Sequence, residues 1–292
     1  MTVQSRTGGA LTFPRLAAFT AATTLTLVSL GVYTAATGAG LACSAQWPLC
    51  DGGVLPQSVP SFIEWFHRLV AMVAGFLILG VAAWSWRAPE SDRRTALVAT
   101  AAAVLLPLQV SVGAVTVTLS GMVPGGYAVP TQAAHLAVAL CIFTALTVTS
   151  LRTLEGSYDD TGRERARRAL LAAAAVVAVA ALFSRVVPLV PYLPAAQATF
   201  VGVGLAGYAS LVAAVRWLPA RSAARVAALV AAAAVLVALV LGRDVVIYTA
   251  AARVVNAVAL GLAVSLAAAA GLLVDQTTGS PEGESLADEQ TT

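Results

Sequence analysis

The sequence is short of charge, and its basic residues include no lysine. Only 11% of its 292 residues are charged while 59% are hydrophobic, so it has too little polar surface to cover a water-soluble globule of this size. The basic residues are all arginines, and they are spread over short segments without a continuous patch, which argues against a nucleic-acid partner. Histidine is equally scarce, with two in the whole chain. Most of the chain must therefore be solvated by lipid.

Long apolar segments predict an all-α integral membrane protein. A helix of about 20 residues crosses a hydrocarbon core of about 30 Å. We predict eight transmembrane helices, near residues 16–36, 62–86, 95–119, 131–151, 168–187, 196–217, 223–242 and 249–274. A cleaved signal peptide is the alternative for the first segment, because Arg6 and Arg15 precede it. Its apolar stretch, however, exceeds the roughly 7–15 residues of a signal core.

The arginines also predict the orientation, because they are distributed unevenly between the two sides. Most of them fall at the amino terminus and in alternate loops, and only Arg68, Arg185, Arg243 and Arg253 lie near the opposite side. Basic residues are enriched in cytoplasmic loops. We therefore predict a multi-pass protein of the cell membrane with both termini cytoplasmic, and with the loops 37–61, 120–130, 188–195 and 243–248 outside.

The two histidines, His67 and His135, form the clearest candidate site. Helices two and four both run from outside to inside, and each histidine lies near the outer end of its helix, so the two reach nearly equal depth. Two neutral imidazoles at one level on parallel helices suit axial ligation of a haem iron between them. The alternatives are an interhelical hydrogen bond for either histidine and a zinc or iron ion bound directly together with Glu64.

Weak internal similarity predicts two pseudo-repeated four-helix bundles. The segment 131–135 that opens helix four resembles 249–253 that opens helix eight, and helix two resembles helix six. The predicted domains are residues 1–155 with the haem site, residues 156–274 without haem ligands, and a disordered acidic cytoplasmic tail at 275–292. In this register Thr199 or Phe200 and Arg253 stand opposite the two histidines, and none of these side chains is a usual haem ligand.

Further polar side chains lie at the level of the histidines. Glu64 precedes His67 by three residues and so shares its helix face. An interfacial cluster, in which Glu64 and Arg68 touch headgroups and water, is the alternative. Gln109 in helix three is expected to hydrogen-bond to a neighbouring helix or to face the pocket.

The first outer loop carries two cysteines, Cys43 and Cys50. Because the exterior is oxidising, we predict a disulfide that closes this short loop over the outer mouth of the site. A redox-active dithiol is the sharper alternative.

These segments, in their order along the first half of the chain, resemble haem A synthase. The resembling segments are 37–43, Trp47–Cys50, Glu64–Leu69, Gln109–Gly113 and His135–Leu136. The resemblance implies an oxidoreductase that converts the C8 methyl of haem O to the formyl of haem A for terminal oxidases. It implies that His67 and His135 ligate the substrate haem iron and that Glu64 is catalytic. Arg68 and Gln109 are then candidate contacts of the haem pocket or its propionates.

The resemblance also implies partners, which are haem O, haem O synthase and terminal oxidase assembly factors, in addition to membrane lipid; a homo-oligomer is left open. Family members commonly hold a second haem b through a second histidine pair, and the absence of that pair here argues against a second haem. Two other functions stay open, a non-catalytic haem-binding carrier or assembly protein and a one-haem electron-transfer cytochrome. A carrier would need the histidines but not Glu64.

Overall fold

The computed structural model describes residues 12–43, 46, 49–120, 122, 129–154, 162–187, 189–243 and 248–276, and within these it is helical without strands. The helices are α1 (Phe13–Ala36), α2 (Val59–Ser85), α3 (Arg93–Ser120), α4 (Val129–Leu154), α5 (Gly162–Leu182), α6 (Pro194–Trp217), α7 (Ala223–Leu241) and α8 (Ala250–Gln276). A short 3-10 helix (Ala39–Leu41) follows α1. The acidic tail predicted from residue 275 lies outside the described residues, except for the end of α8.

Local signals explain where several helices begin. Proline occupies the first turn of α1, α2 and α6, where its missing N–H would have no helical partner in any case. The Ser58 hydroxyl accepts a hydrogen bond from the Ser61 N–H at 3.3 Å and caps α2. The Ser222 hydroxyl does the same for the Arg225 N–H at 3.2 Å and caps α7. Such caps satisfy amide groups that the first helical turn leaves unpaired.

Seven of the eight helices are long and apolar enough to cross a membrane, and α5 is the exception within the described residues. The chain is accordingly a multi-pass membrane protein. The helix predicted at 168–187 begins and ends earlier, because the arginine-rich segment before it is itself helical, with Glu164 accepting a hydrogen bond from Arg168 at 2.9 Å. The apolar part of α5 that remains, 169–182, spans only about 21 Å. An eighth crossing stays a prediction.

The helices pack as two groups of four. In the first group α1 and α3 each contact both α2 and α4, so α2 and α4 lie on one diagonal of the bundle. In the second group α5 contacts α6 and α8, and α7 contacts the same two helices. The groups meet where α6 packs on α1 and α4, and the Thr144 and Tyr208 hydroxyls join α4 to α6 at 2.9 Å. The predicted sequence repeat and domain boundaries stay predictions.

The two groups differ in how tightly they are packed. The larger hydrophobic core is built mainly by α5 to α8, with Phe200, Leu205 and Leu211 fully buried. In the most apolar stretch of each helix, 50% of the residues of α6 are buried, compared with 22% for α2 and 11% for α3. Helices α2 and α3 therefore leave much of their apolar surface exposed, whereas α4 of the same group is 44% buried.

Candidate functional site

His67 lies on the face of α2 that packs against α1. Its ring rests on Gly31 of α1, where a Cβ atom would lie 3.0 Å from the imidazole Cε1. Protein Cβ atoms essentially never approach another heavy atom more closely than this. The absence of a side chain at Gly31 is therefore what leaves room for the ring.

His135 has a matching environment at the interface of α4 and α3. A Cβ atom at Gly113 of α3 would lie 3.0 Å from the Cε1 of His135. One helical turn earlier on α3, the Gln109 amide nitrogen lies 3.3 Å from the ring Nε2. The donor and acceptor roles in this contact depend on which ring nitrogen carries the proton. Of the two roles predicted for Gln109, a bond to a neighbouring helix is thus present.

The two histidines lie on α2 and α4, the helices on one diagonal of the first bundle. The ring of His67 packs against α1 and that of His135 against α3. The Nδ1 atoms of both rings are buried and have no hydrogen-bond partner among the described residues. Two imidazoles with nitrogen atoms to spare, on opposite helices of one bundle, fit a haem iron between them. Within the described residues no three His, Cys, Asp or Glu side chains converge, so the geometry gives no support to a zinc or iron ion bound directly together with Glu64.

Glu64 is buried and is engaged on both carboxylate oxygens. Its Oε2 accepts a hydrogen bond from the Cys43 backbone N–H at 2.6 Å, and its Oε1 pairs with Arg68 one turn further along α2. Arg68 also donates to the Gln46 carbonyl of the outer loop. Glu64 is only 2% exposed. This burial counts against the alternative in which the Glu64 carboxylate touches headgroups and water, because a loop amide and a guanidinium surround it instead.

A disulfide joins Cys43 to Cys50 and closes the loop between α1 and α2, beside the start of α2. The chain turns sharply at Gly52, whose φ of 75° is left-handed and is readily adopted only by glycine. Asp51 then ties the loop to the start of α2, since its carboxylate accepts hydrogen bonds from the Ser61 hydroxyl at 2.9 Å and from the Gln57 N–H at 2.8 Å. The loop therefore holds Cys43 in place for its bond to Glu64.

The second bundle offers no matching ligand pair at the positions singled out from the sequence. Phe200 of α6 is completely buried, and its ring packs so closely on Gly242 that a Cβ there would lie 2.3 Å from Cε1. Thr199 borders a shallow groove at the start of α6, and Arg253 of α8 is exposed. A phenyl ring and a guanidinium give no lone pair to iron. Both histidines of the sequence lie in the first bundle.

Sequence reasoning missed three residues of this site. Gly31 and Gly113 carry no functional group, and the only signal was an isolated glycine within an apolar helix, which often has a packing reason. Arg243, just beyond α7, is buried and close enough to His135 for their charges to interact. Because Arg243 is far from both histidines along the sequence, its approach to them in the fold could not be predicted.

Comparison with known proteins identifies the family. The family described as cytochrome oxidase assembly protein (COX15-CtaA) matches residues 14–187, more than half of the chain. The chain belongs to this family. The matched range contains the disulfide, Glu64 and both histidines, whereas Arg243 lies outside it.

Similarity to individual proteins agrees with this family and covers only part of each. Over 126 residues the chain is 32% identical to heme A synthase of Bacillus licheniformis, which covers 43% of this chain and 40% of that protein. Over 142 residues it is 32% identical to heme A synthase of Geobacillus kaustophilus, covering 47% and 43%. Over 136 residues it is 37% identical to protoheme IX farnesyltransferase of Halobacterium salinarum, covering 46% and 29%. The chain thus spans less than half the length of these curated relatives.

Proposed function

We propose that the chain is a haem A synthase, which oxidises the C8 methyl of haem O to the formyl of haem A. The observation that carries this proposal is the diagonal pair of imidazoles on α2 and α4, with a buried carboxylate one helical turn from His67. The match of residues 14–187 to the family and the similarity to heme A synthases support the same reaction.

In this proposal His67 and His135 ligate the iron of haem O and fix the macrocycle between α2 and α4. Haem O, when bound, supplies the methyl that is oxidised and the iron that anchors it. Arg68 and Arg243 are positive groups near the two histidines, and they suit the negatively charged propionates of a haem. The apolar faces of the bundle exclude water from the ring.

Glu64 carries the proton chemistry in the proposed reaction. Conversion of a methyl to an aldehyde through two hydroxylations and loss of water adds one oxygen atom; with water as its source the balance is R–CH3 + H2O → R–CHO + 4 H⁺ + 4 e⁻, and the four electrons pass to an acceptor supplied by a partner. A buried carboxylate near the reacting edge can accept protons or stabilise a developing positive charge. The bonds of Glu64 to Cys43 and Arg68 orient its carboxylate. To take up a proton, the carboxylate would give up one of these two bonds, and this proton uptake is its contribution to the proposed reaction.

A second candidate is a haem carrier, and a specific observation favours it. Both oxygens of Glu64 are already used to bind the outer loop to α2, a role that a non-catalytic protein would also need. In the register of the predicted repeat, Thr199 or Phe200 and Arg253 stand where the ligands of a second haem would be, which argues against an electron path through a second haem. In a synthase, electrons would then leave through a partner.

The proposed setting is the cell membrane, with both termini cytoplasmic and the haem site toward the outer face. The farnesyltransferase relatives support a farnesylated haem as the substrate. Part of each of these proteins is similar to this chain, and their name describes transfer of a farnesyl group to protohaem. An enzyme of that class would supply a farnesylated haem to the site.

The deciding experiment is identification of the haem by mass after expression in a host that makes haem O but lacks its own synthase. A synthase yields haem A or a hydroxylated intermediate, and Glu64→Gln accumulates haem O still bound through His67 and His135. Loss of such a group typically lowers a rate by about 10² to 10⁴, which pigment extracts resolve. Bound haem O without any oxidised product in wild type would favour the carrier, and bound haem b would favour an electron-transfer cytochrome.

A further inference from the structure

We propose that Gly31 and Gly113 are positioning residues that hold the rings of His67 and His135 in the orientation needed to ligate iron. The proposal rests on the proposed haem binding and adds two residues from α1 and α3, helices that carry no ligand. The evidence is the contact that each glycine makes and the contrast with the other glycines of the same bundle.

The two contacts are alike although they lie at different helix interfaces. A Cβ at Gly31 would lie 3.0 Å from Cε1 of His67 and 3.7 Å from each ring nitrogen. A Cβ at Gly113 would lie 3.0 Å from Cε1 of His135, with the nitrogens at 3.4 and 3.8 Å. In both cases the nearest ring atom is the carbon between the two nitrogens. A side chain on either glycine would therefore displace both nitrogens of the ring at once.

Other glycines show that these contacts are specific. Helices α1 to α4 contain four glycines, and the remaining two, Gly75 and Gly80, are both on α2. A Cβ at either of these positions would meet no heavy atom of the described residues within 4 Å. In this bundle, the glycines that face a neighbouring helix both face a histidine. In the second bundle, by contrast, Gly204 and Gly207 face the aliphatic side chains of Leu239 and Val177.

The physical consequence is that each imidazole ring is held in one position against a neighbouring helix. Glycine lowers helix stability relative to alanine, so its use inside α1 and α3 needs a local reason. Here the reason is that the ring lies flush against the backbone of the neighbouring helix. Groups that orient metal-binding histidines typically change metal affinity by roughly 10- to 100-fold when they are altered.

The test uses the full chain in detergent micelles, titrated with ferric protohaem and followed by its absorption spectrum. Gly31→Ala and Gly113→Ala should each weaken haem binding by roughly 10- to 100-fold and convert the low-spin six-coordinate spectrum to a high-spin one. The matched controls Gly75→Ala and Gly80→Ala should keep the wild-type affinity and spectrum. Added imidazole should restore a low-spin spectrum in Gly31→Ala, because the displaced ring leaves one axial position of the iron open.

A double-mutant cycle separates displacement of the ring from general damage to the fold. With His67 replaced by Ala there is no ring to collide with, so Gly31→Ala should leave the thermal stability of the haem-free chain unchanged or raise it, since alanine favours a helix more than glycine does. If Gly31→Ala alone fails to fold, His67→Ala should restore folding for the same reason. Failure of that restoration would overturn the proposal.

The outcomes also separate this proposal from the proposed function. If wild type and the Gly75 and Gly80 controls bind haem with low-spin spectra and Gly31→Ala and Gly113→Ala do the same, the positioning role is wrong while haem binding stands. If wild type binds no haem, the ligand role of the histidines fails, and the positioning role fails with it.

Discussion

Replacing Glu64 by glutamine should destabilise the amino-terminal part of α2. The buried carboxylate bonds to two partners there, the Cys43 N–H and the Arg68 guanidinium. Its hydrogen bond from the Cys43 N–H measures 2.6 Å, and hydrogen bonds to charged groups contribute about 1.5–3 kcal/mol against about 0.5–1.5 kcal/mol for neutral ones. The neutral amide therefore loses about 1–1.5 kcal/mol at Cys43.

The second loss is at Arg68, which would face an amide in place of a carboxylate. Breaking a fully buried ion pair costs about 3–5 kcal/mol, but the Arg68 side chain is 20% exposed while that of Glu64 is 3% exposed, so we expect less. We predict a combined loss of about 2–4 kcal/mol in the free energy of unfolding. Thermal and denaturant unfolding of the detergent-solubilised chain, followed by circular dichroism, measures it.

The chain supplies a matched control on α5, in the second bundle. Glu164 and Arg168 form a pair with the same i,i+4 spacing, but their side chains are 37% and 63% exposed. Glu164→Gln should therefore cost no more than about 0.5 kcal/mol. The double variant Glu64→Gln/Arg68→Gln should be more stable than the sum of the single losses predicts, because it removes the unpaired guanidinium. Equal unfolding of Glu64→Gln and Glu164→Gln would refute the reasoning.

Three further predictions follow from the site and its surroundings. His67→Ala and His135→Ala should each abolish the low-spin haem spectrum of the purified chain, since no third histidine can replace either; an unchanged spectrum contradicts six-coordination. After reduction, a membrane-impermeant thiol reagent should label Cys43 and Cys50 in intact cells, and labelling only in broken cells would reverse the orientation. Hydrogen bonds donated by Thr95, together with the charge of Arg152, lower the pKa of Asp92 from 3.8 to about 2. The stability that Asp92 contributes should thus be complete above pH 3.8 and lost as pH falls through about 2, and Asp92→Asn should remove this part of the acid unfolding curve.

Long apolar segments predicted the helices well, because a chain that crosses a membrane must pair its backbone groups internally and a helix does this within one segment. The error at α5 has a local cause, since arginines were taken to mark a loop whereas Glu164 and its arginine neighbours continue the helix. His67 and His135 were expected on helices of one bundle because both are rare and lie near the amino-terminal ends of α2 and α4; their ligation of a haem iron stays a prediction.

The contacts of these residues were not predictable from the sequence. Glu64 binds the backbone N–H of Cys43. Every residue except proline carries such a group, so the sequence does not indicate which one a carboxylate will bind. Gly31 and Gly113 act through the space that they leave, which depends on how neighbouring helices are rotated. Arg243 reaches the site only because α6 packs on α1 and α4 and brings the two bundles together.

The unequal burial of the helices bears on how quickly the protein is degraded in the cell before it binds haem. A ligand stabilises the state that binds it, and the proposed haem ligands belong to the bundle whose helices α2 and α3 are the least buried. The second bundle carries no histidine and would gain less from haem binding. We therefore expect local opening to begin at α2 and α3 in chains that have not yet received haem. Membrane proteases would then degrade the newly made, unloaded chains first, so the supply of haem would set the abundance of the protein as well as its occupancy.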